Sequence, residues 1–163
     1  MPGFYVEEAR SQAQKVHLQH YWMATQIGPI HPITGKFLLQ DVTLPSFETE
    51  PHLQNGASLT YKFASFVKYS DAVITFYDTT GLMAELEKWR KNIWTPDKGL
   101  SPKKFYAENT VIMQQDGEGT PTVTYELFNT WPIKIDQGPL TYTKSESRII
   151  TLTLACDYMV ATG

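Results

Sequence analysis

The chain has 163 residues, of which 42% are hydrophobic, 13% aromatic and 19% charged. This length suits one domain, and so apolar a composition excludes a chain that is disordered throughout. The net charge of −3 argues against tight, sequence-independent binding of nucleic acid, which needs clustered lysine and arginine. The only cysteine, Cys156, leaves no intramolecular disulfide and favours a reducing compartment.

The N-terminal part predicts an arm followed by two strands. Residues 1–16 are mostly polar and aperiodic, which predicts an arm outside a single domain over 17–163. His17–Ile27 reads as a first strand and Phe37–Leu44 as a second, which Pro45 ends. No basic leader precedes an apolar run, and no run of about 18 apolar residues occurs, so neither a signal peptide nor a membrane helix is expected.

The middle of the chain predicts a long loop and a hairpin. Ser46–Ser58 carries Pro51 and Gly56 among polar residues and predicts a loop that is long for so small a domain. The stretch Leu59–Tyr69 alternates apolar and polar residues, and Ala72–Tyr77 is apolar on both faces. We expect these last two segments to pair as a hairpin.

One helix is predicted, over about residues 80–94. Leu82, Leu86, Trp89 and Ile93 follow one another at helical spacing and form a single apolar stripe. Charged residues occupy most of the other side, and Thr95-Pro96 ends the pattern. The following stretch, up to Lys104, predicts a solvated loop.

The last third predicts a second hairpin and a final strand. The segments 108–115 and 122–131 flank a glycine-containing turn, and Trp131-Pro132 ends the return strand. Residues 145–158 alternate between one apolar face and one small, mostly polar face. In all, the pattern predicts a mainly β domain: a small antiparallel β-barrel or sandwich of about six to seven strands with one flanking helix.

Residues that bear chemistry do not converge on a site. His17 and His20 lie three apart in a predicted strand, which sends their side chains to opposite faces, so a metal site is disfavoured there and at His31 and His52. Cys156 falls on the apolar face of its strand, which predicts burial and an inert thiol. We therefore expect no enzyme activity and no cofactor.

The remaining motifs have structural explanations. Gly117-x-Gly119 opens onto another strand, whereas phosphate-binding glycine loops open onto a helix, so it predicts a turn. The acidic residues Asp71, Asp78, Glu85 and Glu87 read as turn, cap and helix-surface residues. The basic residues around the helix form a solvated face, with a protein partner as the second interpretation and nucleic acid as a distant third.

The order of these elements resembles the tail tube proteins of contractile-tailed bacteriophages over about residues 20–160. The resemblance lies in Leu44-Pro45 after the second strand, in Phe128-Asn129-Thr130-Trp131-Pro132 at the end of the second hairpin, and in the ending Leu152-Thr153-Leu154-Ala155-Cys156-Asp157-Tyr158. Each motif alone is weak, whereas their order and spacing together are more specific.

The resemblance implies a structural subunit of a phage tail tube. Six subunits would form a ring whose strands join a continuous inner barrel, and stacked rings would form a conduit for double-stranded DNA inside a contractile sheath. It implies the virion tail as location, assembly in the host bacterial cytoplasm, and sheath, baseplate, tape-measure and tail-terminator proteins as partners besides the chain itself. DNA would pass through without specific binding.

Three sets of residues follow as expectations from the resemblance. The loop that reaches the adjacent ring contains Ser46, Phe47, Glu48, Glu50, Pro51, Leu53, Asn55 and Gly56. Some of Asp41, Glu126, Asp136 and Asp157 line the lumen, since an acidic, threonine-lined bore does not retain DNA. The outer, sheath-facing helix and loop present Lys88, Lys91, Lys98 and Lys103.

Three alternatives remain open at this stage. A tube-like baseplate component that initiates or caps the tube would share the same core. A tube protein of a type VI or extracellular injection system is a variant of the first interpretation. A small barrel that binds a ligand or acts as an enzyme would need a pocket with convergent polar groups, and the sequence points to none.

Overall fold

The computed structural model describes residues 22–31, 39–143 and 145–163. The predicted arm, His17 and His20 lie outside the described residues. The helix is α1 (Leu82–Ile93), and a short 3-10 turn spans Lys103–Phe105. The strands are β1 (Trp22–Gln26), β2 (Leu39–Thr43), β3 (Phe47–Asn55), β4 (Thr60–Tyr69), β5 (Ala72–Tyr77), β6 (Trp94–Thr95), β7 (Gly99–Leu100), β8 (Glu108–Gln115), β9 (Pro121–Asp136), β10 (Ile149–Ala155) and β11 (Tyr158–Thr162).

Seven strands form one antiparallel sheet with the order β1-β8-β9-β10-β5-β2, and β11 joins it through β9. The sheet bends along β9, where Asn129 has a φ of 54° and the pairing with β8 shifts register between Leu127 and Thr130. The first half of β9 pairs with β8 and β11, and its second half pairs with β10. This bulge lets one strand serve two layers, and the result is sandwich-like.

The core lies between these layers and under α1. In β10 the side chains of Ile150, Leu152 and Leu154 are fully buried, and they alternate with half-buried residues. Burying each such side chain stabilises the fold by about 1.5–3 kcal/mol. The helix contributes its predicted stripe, of which Leu86 and Trp89 are fully buried.

The mainly β fold with one flanking helix is confirmed, and so is the hairpin of β8 and β9. The predicted loop over Ser46–Ser58 is wrong in its first part, because Phe47–Asn55 is strand β3 and pairs with β4. The predicted pairing of β4 with β5 is wrong as well. Strand β5 pairs with β2 and β10 instead.

Two predicted strand ends also differ. Trp131-Pro132 does not end β9, which continues to Asp136, because Pro132 sits beside a register shift against β10 where the ladder is already interrupted. The predicted final strand is two strands, separated at Cys156 and Asp157. The first of them, β10, pairs with β5 and the second half of β9, whereas β11 pairs with the first half of β9.

Candidate assembly surfaces

The β3–β4 hairpin is exposed along nearly its whole length. Every residue of β3 is exposed, and so is all of β4 except Tyr69. The hairpin continues the β2–β5 pair, with a break at which the Ser46 backbone N–H donates to Ser70 Oγ (2.8 Å) and the Ser70 N–H donates to the Ser46 carbonyl (3.1 Å). Strand β3 has nine residues and is therefore about 30 Å long. All eight residues predicted to reach a neighbouring ring lie on or beside this hairpin.

The two faces of the hairpin differ in chemistry. Because side chains alternate along β3 and paired residues share a face, the register divides the residues into two sets. One set, the apolar hairpin face, contains Phe47, Thr49, Pro51, Leu53, Asn55, Thr60, Lys62, Ala64, Val67 and Tyr69. The opposite face contains the ion pair of Lys68 with Glu50 (3.3 Å), and also the exposed aromatic residues Tyr61 and Phe63, which pair with Gln54 and His52. The apolar hairpin face carries a single charge, on Lys62.

A second surface is the outer face of the layer formed by β2, β5, β10 and the second half of β9. The residues that alternate with the buried ones in these strands share this outer face. We call it the threonine face; it contains Asp41, Thr43, Val73, Thr75, Tyr77, Trp131, Lys134, Asp136, Ile149, Thr151, Thr153 and Ala155. Small, mostly uncharged side chains dominate it.

The four carboxylates expected at a lumen occupy three different places. Asp41 and Asp136 both pair in register with residues of the threonine face, opposite Thr75 and Thr151 respectively. Glu126 belongs to the other layer, where it accepts a hydrogen bond from Asn109 Nδ2 (3.1 Å). Asp157 lies at the bend between β10 and β11. A single wall therefore does not hold all four.

Asp157 is tied to Lys103, one of the residues expected on the outside. The Lys103 ammonium lies 2.5 Å from Asp157 Oδ1, and Asn129 Nδ2 donates to Oδ2 (3.0 Å). The hydrogen bond from Lys103, with that from Asn129, lowers the pKa of Asp157 although partial burial opposes the shift. Asp157 is also bonded to β9 beside the bulge, because its backbone N–H donates to the Phe128 carbonyl (3.0 Å). Asp157, expected at the lumen, and Lys103, expected on the outside, therefore lie side by side.

The outer side of α1 is charged and internally paired. Lys88 bonds Glu85 (2.8 Å), and Arg90 bonds Glu87 (2.8 Å), both three residues apart. The hydrogen bond from Arg90 lowers the pKa of Glu87. Such exposed pairs contribute little to stability, because water and salt screen them. Lys88, Lys91 and Lys98 are exposed.

Buried contacts fix α1 to the sheet. Trp89 Nε1 donates to the Tyr106 carbonyl (2.7 Å), and its indole ring covers Gly28, whose φ is 55°. The Gly28 N–H donates to Thr110 Oγ1 (3.0 Å), which is in turn 2.8 Å from Thr130 Oγ1. Thr130 donates to the Glu108 carbonyl (2.6 Å), so this buried chain of hydrogen bonds is complete.

Groups with reactive or metal-binding side chains stay apart. Among the residues that the structure describes, no three of His, Cys, Asp and Glu cluster as a metal site would require. His31 and His52 are both exposed. Cys156 is half-buried, and desolvation, with Asp71 and Asp157 nearby, raises the pKa of its thiol. Within the described ranges no helix is long and apolar enough to cross a membrane.

The domain thus has two β layers, an exposed hairpin and two open faces. These features provide surfaces for contact with other chains. The chain belongs to the family of the T4-like virus tail tube protein gp19, whose model matches residues 33–160. It is thus a tail tube-like structural protein of the contractile injection type, as the resemblance in the sequence indicates. A search of curated proteins found no match.

Solved structures share the fold at low sequence identity. A chain in the extended sheath–tube complex of the PVC extracellular contractile injection system matches with a TM-score of 0.69 at 13% identity, covering 98% of this chain and 99% of that one. A chain of the anti-feeding prophage cap matches with 0.69 at 14% identity, covering 91% and 92%. A chain of the anti-feeding prophage baseplate matches with 0.64 at 18% identity, covering 91% and 97%.

Proposed function

We propose that copies of this chain form six-membered rings that stack into the inner tube of a contractile phage tail. Double-stranded DNA passes through the bore during ejection. The observation that carries this proposal is the threonine face, which a chain of the tail tube family presents as an open face of four strands. The role is structural and non-enzymatic.

The chemistry of the threonine face suits a bore that DNA does not grip. It carries Asp41, Asp136 and one cation, Lys134, which lies 3.9 Å from Asp136. Clustered cations would bind phosphates and retain DNA in a salt-dependent way, and this face has no such cluster. Of the four candidate carboxylates we therefore assign Asp41 and Asp136 to the lumen.

The two ends of this four-stranded layer support ring closure. Over the described residues, β2 pairs only with β5, and residues 131–136 of β9 pair only with β10, so one edge of each is open. The directions alternate across the four strands. Rotation about the tube axis would place β2 beside the β9 segment of the next copy in antiparallel orientation. Such pairing satisfies both edges and keeps every threonine face on the bore.

The other two surfaces fit the remaining contacts of a tube. The β3–β4 hairpin contacts the adjacent ring, since an exposed apolar ribbon of this length requires a partner. The charged side of α1, with Lys88, Lys91 and Lys98, faces the sheath. The baseplate, tape-measure and tail-terminator proteins meet the ends or the bore of the tube, which is assembled in the host bacterial cytoplasm and located in the virion tail.

Two neighbouring roles remain as second candidates. A tube-like component that initiates or caps the tube is favoured by the fold shared with chains of the anti-feeding prophage cap and baseplate. A tube protein of a type VI or extracellular injection system is favoured by the fold shared with the PVC sheath–tube complex.

Electron microscopy of the purified chain tests the proposal. We expect rings or tubes at high protein concentration, and a chain that stays monomeric there would refute the structural role. Deleting Gln54–Ser58 leaves Leu59–Tyr61 to close a shortened hairpin, and we expect folded subunits that polymerise poorly. Glu118→Ala, in the exposed β8–β9 turn, is the control and should give tubes of normal length. Normal long tubes from the deletion variant would contradict the role of the hairpin.

A further inference from the structure

A groove lies at the end of the sheet opposite the β3–β4 hairpin. Strand β5 joins the hairpin at its first residue, Ala72, and at its other end Tyr77 pairs with Ile149, the first residue of β10. The connection from β9 to β10 therefore lies at the end of the layer away from the hairpin. A head-to-tail stack brings these two ends together.

Described residues of this connection line an open groove with a volume of about 590 Å³, which we call the end groove. Its lining includes the apolar residues Pro139, Leu140 and Ile149 and the carboxylates Asp136 and Glu146. Leu140 is 80% exposed, so the groove offers apolar surface that the subunit itself does not cover. A volume of this size accommodates several side chains of a ribbon.

Arg148 lines the end groove and makes three hydrogen bonds there. Its guanidinium bonds Asp78 Oδ2 through Nη1 (3.2 Å), the Gln137 carbonyl through Nε (2.9 Å) and Gln137 Oε1 through Nη2 (2.8 Å). These three bonds tie the start of the connection to its end and to the end of β5. Arg148 is paired with Asp78 (3.2 Å) and Asp136 with Lys134 (3.9 Å), so among the described residues of the lining Glu146 is the carboxylate that has no cation partner.

The apolar hairpin face is complementary to this groove. It presents Phe47, Leu53 and Val67, which are 59%, 58% and 56% exposed, and its one charged residue is the cation Lys62. Among the residues that the structure describes, Lys62 has no carboxylate within ion-pair distance, and neither Lys nor Arg pairs with Glu146. An apolar ribbon with one unpaired cation thus matches an apolar groove with one unpaired carboxylate, Glu146.

We infer that the end groove binds the apolar face of the β3–β4 hairpin from a second copy in the adjacent ring, with Lys62 directed at Glu146. This inference rests on the proposed stacking of rings and adds which surface receives the hairpin. It also gives the tube a polarity, because the hairpin of every subunit points the same way.

Charge reversal tests the pairing. Lys62→Glu and Glu146→Lys should each shorten tubes at least about tenfold in micrographs while circular dichroism remains that of the parent, since like charges would face each other. The double variant should restore most of the length. Glu118→Lys, in the exposed β8–β9 turn, is the matched charge-reversal control and should not change it. Single variants with normal tubes, or a double variant no longer than either single, would overturn the inference.

Cross-linking provides a second measurement that does not depend on tube length. In a Cys156→Ser background, Leu53→Cys combined with Leu140→Cys should give multimers with a short bismaleimide, whereas Gln54→Cys on the opposite hairpin face should give far fewer. Tubes that form normally but cross-link equally through both faces would refute the groove and leave the tube function standing. If the parent chain forms neither rings nor tubes, both the tube function and the role of the end groove are refuted.

Discussion

The packing of α1 on the sheet should be disrupted by a single added methyl group at Gly28. A Cβ built at this position would overlap Cη2, Cζ2 and Cζ3 of the Trp89 indole, of which Cζ3 is the farthest at 2.8 Å. The backbone there also has a φ of 55°, which costs a residue with a side chain about 1–2 kcal/mol. Displacing a buried, hydrogen-bonded indole adds about 1–3 kcal/mol.

We therefore expect Gly28→Ala to lower the free energy of unfolding by about 2–5 kcal/mol. With a urea dependence of about 2 kcal/mol/M, the unfolding midpoint would fall by about 1–2.5 M. The matched control is Gly99→Ala, where φ is 71° and no atom lies within 4 Å of the added Cβ. It should lose only the backbone term, about 1–2 kcal/mol. Urea unfolding followed by far-ultraviolet circular dichroism on dilute, unassembled protein measures both.

A double-mutant cycle isolates the cause. In a Trp89→Leu background the overlap with the ring is gone, and Gly28→Ala should then cost no more than Gly99→Ala does in the parent. If Gly28→Ala is no more harmful than Gly99→Ala in the parent, or is equally harmful with and without the indole, the packing argument is wrong.

Three further predictions concern single side chains. The pKa of Asp157 is lowered, chiefly by the hydrogen bond from Lys103, so its contribution to stability is present above the ordinary carboxyl pKa and is lost as pH falls through the lowered value. Because the pair is partly exposed, we expect a loss of about 0.5–1 kcal/mol in the parent below about pH 4, and a flatter pH profile for Asp157→Asn in urea unfolding. Thr130→Val should cost about 1–3 kcal/mol in the same assay, because the Thr110 hydroxyl loses its acceptor, whereas Thr130→Ser should cost about 1 kcal/mol or less. Iodoacetamide at pH 8 should alkylate Cys156 about tenfold more slowly in the folded chain than in urea, and equal rates would contradict the raised pKa of this thiol.

The sequence predicts those elements whose pattern reflects burial by near neighbours. The stripe through Leu86 and Trp89 identifies α1, which spans Leu82–Ile93 where residues 80–94 are predicted. The β8–β9 hairpin follows from two alternating segments around a glycine turn. The threonine face could also be found, because Thr151 and Thr153 are the polar partners of buried leucines in an alternating strand.

Strand β3 could not be predicted in the same way. All its residues are exposed, so no alternation of apolar and polar residues marks it, and Pro51 argues against a strand. What stabilises β3 is pairing with β4, a contact that the sequence pattern does not encode. The same reason explains the wrong partner for β4, since pairing depends on where β2 and β10 place β5 in the sheet.

We expect ring closure and ring stacking to use different surfaces of the subunit. In the proposed tube, contacts around a ring use the open edges of β2 and β9, whereas contacts between rings use the hairpin and the end groove. No residue of β3 or β4 lies on either edge. Damage to the hairpin should therefore stop assembly at free rings and leave ring closure intact. For Lys62→Glu, sedimentation velocity should show a discrete ring-sized species larger than the monomer, with far less of the faster material that tubes of the parent give. Monomers alone would mean that the hairpin also closes the ring, and the assignment of the two kinds of contact to different elements would be wrong.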